Sequence, residues 1–370
     1  MIKNNWFWSV ASLLMFFFIA CSEEIDLSPD GKETAIVYAL LDQVDSIHYV
    51  RINRAFYGGS NALEIAQIPD SNYFKQVEAY IYEVKNGDTI RTWKLRDTLL
   101  NNKDANGVFF APQQKLYYFK TEKLNPLQAI NNVNYVLNVS LENKRFNVTG
   151  KTSLIRNAKI GNPASDGNSF SFASNNVAQF GYNSTSINLS PGTSSAMNVS
   201  LDIYIKEFKG TESTIKKINW DLGKTYNSNS YNTASAVSAS GEDFYKKIAS
   251  HCTDLTVSKR QLYRIDINTM FCSSDFIEYE KSLKPSSSLA QSKKEYTNLT
   301  ASNGMRVKGI FSSRNNIIVQ KLPFKQYSLT YYYLAINQSS MKELCNGQYT
   351  GFLNFCSDVP TDSKETFFCK

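Results

Sequence analysis

Histidine is nearly absent: the 370 residues contain two, His48 and His251. Chemistry that needs clustered imidazoles has almost nothing to work with. No two cysteines stand close enough for a Cys-x-x-Cys knuckle. The chain also holds no His-Glu-x-x-His, no phosphate-cradling glycine loop ending in lysine and no Gly-x-Ser-x-Gly elbow. No metal site and no cofactor are expected. Although the net charge is +7, no Lys/Arg cluster exists, and pairs such as Lys216 with Lys217 or Lys293 with Lys294 read as solvated faces. Nucleic acid is therefore not an expected partner. His251 beside Cys252 suggests a nucleophile and a base, but neighbours on a strand point to opposite faces, so a structural role is favoured. His48 falls on an apolar face and reads as a packed core or edge residue.

What is present begins at the N-terminus. Lys3 supplies a positive start, and Trp6 to Ile19 form an apolar run interrupted only by Ser9 and Ser12. That run is too short to span a bilayer comfortably and reads as a signal peptide over 1–20. It ends in Phe18, Ile19, Ala20 and Cys21, a pattern similar to the lipobox of lipoproteins, with Phe18 where leucine is usual. This resemblance implies lipidation of Cys21 and attachment to a membrane, each buried methylene adding about 0.8 kcal/mol. Ser22, Glu23 and Glu24, followed by Ile25 and Asp26, form an acidic tether over 21–32. It resembles the signal that sends many Bacteroidetes lipoproteins to the outer face of the outer membrane; the plainer reading is a polar linker.

Removing the signal leaves about 350 residues and a charge of +6, since Lys3 is the only charge lost. That length suits two domains, and 42% hydrophobic residues with 13% aromatics suffice for real cores. Of six cysteines, Cys252, Cys272, Cys345, Cys356 and Cys369 lie in the C-terminal third. An exported compartment permits disulfides. Nearness in sequence suggests Cys252 with Cys272 and Cys345 with Cys356, although connectivity cannot be deduced and an odd number leaves one thiol over.

The pattern is mainly β. Tyr135, Leu137, Val139 and Leu141 share one strand face, as do His48, Val50 and Ile52, and again Val77, Ala79 and Ile81. Turn signals lie between strands, at Asn86-Gly87, at Asn106-Gly107 and from Glu142 to Lys144. Short strands at this spacing predict an N-terminal β-sandwich over 33–155, of immunoglobulin-like or transthyretin-like type. From 156 to 198 the composition turns to Ser, Asn, Gly and Thr, which reads as a linker or loop region with one or two strands. A β-rich α+β domain then runs over 199–370. Leu201, Ile203 and Ile205 alternate at its start, and helices are expected from Ser240 through Ala249 and over Asp275 to Leu283, the latter capped by Ser274. Strands return at Arg306 to Phe311, Ile317 to Leu322 and Leu329 to Ile336.

Taken in order, these elements resemble a Bacteroidetes outer-membrane lipoprotein family of unknown function, often encoded beside TonB-dependent receptors. The resemblance rests on a lipobox cysteine, a first strand at Ala35 to Leu41, a strand carrying Val50, Arg51 and Ile52, and a tyrosine strand at Asn134 to Leu141 returning through Phe146 to Leu154. A helix at Phe276 to Leu283 and then Thr297, Asn298, Leu299, Asn303, Gly304, Gly309, Ile310 and Phe311 complete it. Ala301, Ser302 and the spacing from Gly304 to Gly309 depart from the family pattern. The resemblance implies the fold and a possible outer-membrane transporter as partner, but no activity or catalytic residue.

Three local features complete the reading. Asn102, Asp104, Asn106 and Gly107 match the first half of a calcium loop, but Gln113 stands where a bidentate glutamate belongs, so a plain turn is expected. Ser46, Thr89 and Thr98 lie in Asp-Ser/Thr-apolar triplets that resemble the Bacteroidetes O-glycosylation motif. Tyr331, Tyr332 and Tyr333 could stack on sugars or anchor a protein, though strand packing is the commoner use of such a run. The expected function is a non-enzymatic surface lipoprotein that binds a ligand or assists a TonB-dependent transporter. Alternatives are a structural or adhesive envelope protein, or a glycan-active hydrolase using paired carboxylates.

Overall fold

A computed structural model describes residues 33–55, 62–107, 109–121, 133–163, 168–176, 179–227, 235–284 and 295–370. Cys21, Ser22, Glu23 and Glu24 lie outside them. The chain is mainly β, in several sheets. The first strands are β1 (Thr34–Asp42), β2 (Ile47–Ala55), β3 (Val77–Lys85), β4 (Asp88–Lys94), β5 (Arg96–Leu100), β6 (Gln114–Lys120), β7 (Val133–Leu141) and β8 (Phe146–Ser153). Then follow β9 (Lys159–Ile160), β10 (Ala173–Asn176), β11 (Gln179–Tyr182), β12 (Ser184–Ser190), β13 (Ala196–Lys209), β14 (Glu212–Tyr226) and β15 (Ser235–Ser240). The last are β16 (Lys259–Cys272), β17 (Leu299–Ala301), β18 (Arg306–Lys321), β19 (Phe324–Tyr327) and β20 (Thr330–Tyr333). Among the described residues helices are few: α1 (Ala62–Ala66), α2 (Gly241–His251), α3 (Ser274–Leu283) and α4 (Gln338–Asn346).

Strand alternation makes the first core. Tyr135, Leu137, Val139 and Leu141 of β7 are fully buried, and so, nearly, are Ala35, Val37, Ala39 and Leu41 of β1. They belong to one cluster with Ile81, Val148, Phe119 and Phe311. The sheet β17-β8-β7-β3-β4 thus packs its apolar face on β1, β2 and β6. Asn86 and Gly87, at φ 52° and 99°, turn β3 into β4 as a primed hairpin turn requires. Glu142, Asn143 and Lys144 all take positive φ between β7 and β8.

A second cluster is drawn from 155–367 and centres on β13 and β16, where Val199, Leu201, Ile203, Ile265, Ile267 and Phe271 are buried. Helices α2 and α4 close it with Phe244, Tyr245, Ile248, Met341 and Leu344. Ser240 caps α2 by accepting from the Asp243 amide. For α3 the cap is Ser273, accepting from Phe276, one residue earlier than expected; Ser274 already has helical backbone.

The two cores share one sheet. Its order is β14-β13-β16-β18-β1-β2-β6-β5, so the halves on either side of residue 155 are hydrogen-bonded to each other. Strand β18 makes the join. Its residues 306–314 pair in parallel with β1, and residues 314–321 pair antiparallel with β16 on the other side. The two separate strands expected at 306–311 and 317–322 are therefore one continuous strand. Its middle, Ser312, Ser313 and Asn315, is buried although polar. Ser313 donates to the Ser153 carbonyl and Ser312 bonds Ser273, which satisfies these hydroxyls where both halves cover the strand.

Two expectations are corrected. Residues 156–198 are not a linker: Phe170, Phe172, Ile187 and Leu189 are buried in the second core, and β9 and β12 form a sheet with β15. Small polar residues there flank apolar ones that alternate toward the core. The disulfide pairs are also different. Cys356 is bonded to Cys369, while Cys252, Cys272 and Cys345 are free and buried. Cys252 caps α2, whereas Cys272 ends β16, a strand of 14 residues that spans about 43 Å at 3.3 Å per residue. Cys345 sits on the packed face of α4.

Candidate functional site

A large opening lies at the edge of the first core. Strand β4 ends at Lys94, buried Leu95 carries the chain across, and β5 begins at Arg96 in the opposite sheet. Because β5 starts opposite Tyr118, Phe119 and Lys120 of β6 have no β5 partner. The sheets part here and leave a cleft of about 1050 Å³, lined by residues of β4, β5 and β6 together with Lys75 and Val77. This lies at the upper end of small-molecule sites.

Its floor is aromatic. Trp93 lies 5.6 Å from Phe119 and stacks at 6.4 Å on buried Tyr135. Phe119 in turn stacks on His48 at 4.9 Å. Burial raises the pKa of Tyr117, which therefore keeps its phenolic proton. Around this floor stand Lys75, Lys94, Arg96, Lys115 and Lys120. Two of these five cations are matched: Lys94 by Glu78 at 3.2 Å, and Lys115 by Asp97 at 3.5 Å. Burial works against the Lys115 charge, but Tyr117 and Asp97 outweigh it and hold its pKa above the usual value. The hydrogen bond from Tyr80 and then the Lys94 ammonium hold Glu78 below the usual carboxylate range. Lys75, Arg96 and Lys120 are exposed and have no carboxylate partner among the described residues. The cleft thus carries an uncompensated positive charge over apolar rings.

The residues singled out in the sequence lie elsewhere. His48 is buried beneath Phe119, with neither ring nitrogen hydrogen-bonded; burial lowers its pKa to about 4. It lies behind the floor and does not line the cleft. His251 and Cys252 end helix α2, not a strand. The imidazole is exposed, near the Lys247 carbonyl, and the thiol is buried with its pKa pushed up to about 11 by desolvation. That environment disfavours a thiolate.

In the half calcium loop, Asp104 accepts from the Asn106 amide and Gln114 donates to Asn102, so these oxygens serve the turn itself. Ser46 and Thr89 are exposed, while Thr98 is half-buried on β5. Tyr333 hydrogen-bonds Asp362, Tyr331 packs edge-on to Phe324, and Tyr332 remains half exposed against Tyr327. Among carboxylates, Asp202 and Asp266 face each other across β13 and β16. Asp202 accepts from Asn219, Asn268 and Lys217, and Asp266 pairs with Arg264 at 2.7 Å. Both are held within the sheet face by their own partners.

No signal in the sequence marked the cleft. Its residues come from β3 to β6 and the turn before them, and each looks like an ordinary exposed cation or strand aromatic. No protein-family model matches the chain, and a search of curated proteins returns no match.

Proposed function

We propose that this protein is an outer-membrane lipoprotein, held by lipid on Cys21 and displayed at the cell surface, that binds a ligand without transforming it and assists a TonB-dependent transporter. The observation that carries the binding role is the cationic, aromatic-floored cleft between β4 and β6. The acidic start of the tether at 21–32 supports surface export. Within this reading the first core is a transthyretin-like or immunoglobulin-like sandwich, and the chain is a member of the lipoprotein family it resembles.

A structural or adhesive envelope role is the second reading. It is favoured by the β19–β20 hairpin, whose Leu329 is 91% exposed beside exposed Tyr327 and Tyr332.

Protease shaving of intact cells, comparing wild type with the Glu23→Ala, Glu24→Ala variant, tests the placement, and a pull-down tests the partner. Digestion of the wild type alone, with a transporter recovered, is expected. Protection of both forms would move the protein to the periplasmic side and remove the accessory role.

A further inference from the structure

The cleft shows what kind of ligand it suits. Three unmatched cations over an apolar floor favour a ligand that is anionic and also offers apolar ring surface. The matched pair on the wall narrows the choice. Asp97 with Lys115 sets an acceptor beside a donor there. A ligand rich in hydroxyl groups uses both, because each hydroxyl donates and accepts. A DNA phosphodiester backbone only accepts, so it leaves Asp97, with its side chain 66% exposed, without a donor. Beyond Tyr118, where β5 no longer covers β6, Lys120 adds a backbone N–H and C=O on that side.

We propose that this cleft binds an acidic polysaccharide, one whose sugar rings carry carboxylate or sulfate groups. Sugar C–H faces rest on the aromatic floor, the ring hydroxyls bond the Asp97–Lys115 pair, and Arg96, Lys75 and Lys120 neutralise the acidic groups. Arg96 suits a carboxylate or sulfate especially, since its guanidinium can bind two oxygens at once. The proposal rests on the cleft being the binding site and goes further by naming the ligand class.

The test uses the full-length lipid-anchored protein in detergent micelles, titrated with polygalacturonate, its methyl ester, dextran and single-stranded DNA. Substituting Trp93 would disturb the core, so the variant is Arg96→Glu with Lys120→Glu, both exposed on the wild-type protein. Circular dichroism confirms that it folds. Polygalacturonate should bind in a salt-sensitive manner, weakening roughly tenfold or more in the variant, and tenfold or more in the methyl ester, as loss of at least one charge-assisted contact requires. Equal binding of ester and acid, or tighter binding of DNA through the same two cations, would overturn the ligand class and leave the cleft as the site. Polygalacturonate binding that the charge reversal does not change would overturn the cleft itself.

Discussion

Arg314 donates from Nε to Asp42 Oδ2 at 2.8 Å, at the one residue of β18 that pairs both with β1 and with β16. Asn316 donates to the same oxygen, and the Gln43 amide bonds the Arg314 carbonyl. Asp42 is almost wholly buried, and Arg314 is a third exposed. A charged knot therefore sits where the chain passes from one core to the other.

Removing the carboxylate should be felt by both cores together. Asp42→Ala leaves Arg314 and Asn316 without their acceptor, and a loss of about 3 kcal/mol is expected. Urea unfolding followed by Trp93 and Trp220 fluorescence checks it, since one tryptophan reports on each core. A change below roughly 0.5 kcal/mol, typical of an exposed pair, would show that the knot contributes little.

Gly309 faces Val37 in the parallel pair, at φ 106°. A Cβ there would lie 2.0 Å from the Val37 carbonyl oxygen, and the backbone would be strained for any other residue. Gly309→Ala should weaken the β1–β18 seam by about 2 kcal/mol or more. Faster amide exchange at Ile36, Val37 and Tyr38 than in wild type is the direct readout, and unchanged exchange would contradict the close approach.

Peptide mapping without reductant should recover the 356–369 crosslink and no other. Burial pushes the thiols of Cys272 and Cys345 up to about 12, so neither they nor Cys252 should react with a thiol reagent until the chain unfolds. The Cys356→Ser, Cys369→Ser double variant, which opens a loop of 13 residues in separation, should lose about 3 kcal/mol. Rapid labelling of the three thiols in the native protein would contradict their burial.

His48 makes stability depend on pH. Burial lowers its pKa from 6.5 to about 4, so below pH 6.5 the unfolded chain takes up a proton that the folded chain refuses. The stabilisation from keeping His48 neutral is complete above pH 6.5 and declines as the pH falls toward 4, by up to roughly 3 kcal/mol. His48→Phe keeps a ring against Phe119 and should remove this part of the acid sensitivity. The measurement is the difference in unfolding free energy between variant and wild type at pH 7.5 and 4.5. An equal difference at both would show that His48 does not titrate as described.

Local rules made part of this fold legible. The alternation of Tyr135, Leu137 and Val139, the Asn86-Gly87 turn and the Ser240 cap each depend on residues within a few positions of one another. Other features depend on what lies across the sheet. Ser312, Ser313 and Asn315 interrupt the apolar pattern of β18, so its halves read as two strands, yet partners from both cores keep those groups satisfied. Phe170 and Phe172 are hidden in a Ser/Asn-rich stretch because flanking polar residues dominate its composition. Nearness in sequence left Cys345 and Cys369, 11 and 13 residues from Cys356, as near-equal partners, and the packing of Cys345 into the face of α4 decided between them. The cleft was illegible for the same reason: Trp93, Arg96 and Lys120 meet only because β5 stops short of Phe119.

Binding on intact cells tests placement and cleft together. Cells displaying wild type or the Arg96→Glu, Lys120→Glu variant, matched for surface amount by antibody, would be mixed with fluorescent polygalacturonate at low and high salt. The account predicts saturable labelling of wild-type cells that is roughly tenfold weaker in the variant and suppressed by salt. Equal labelling of the two cell types, with equal protein at the surface, would contradict it.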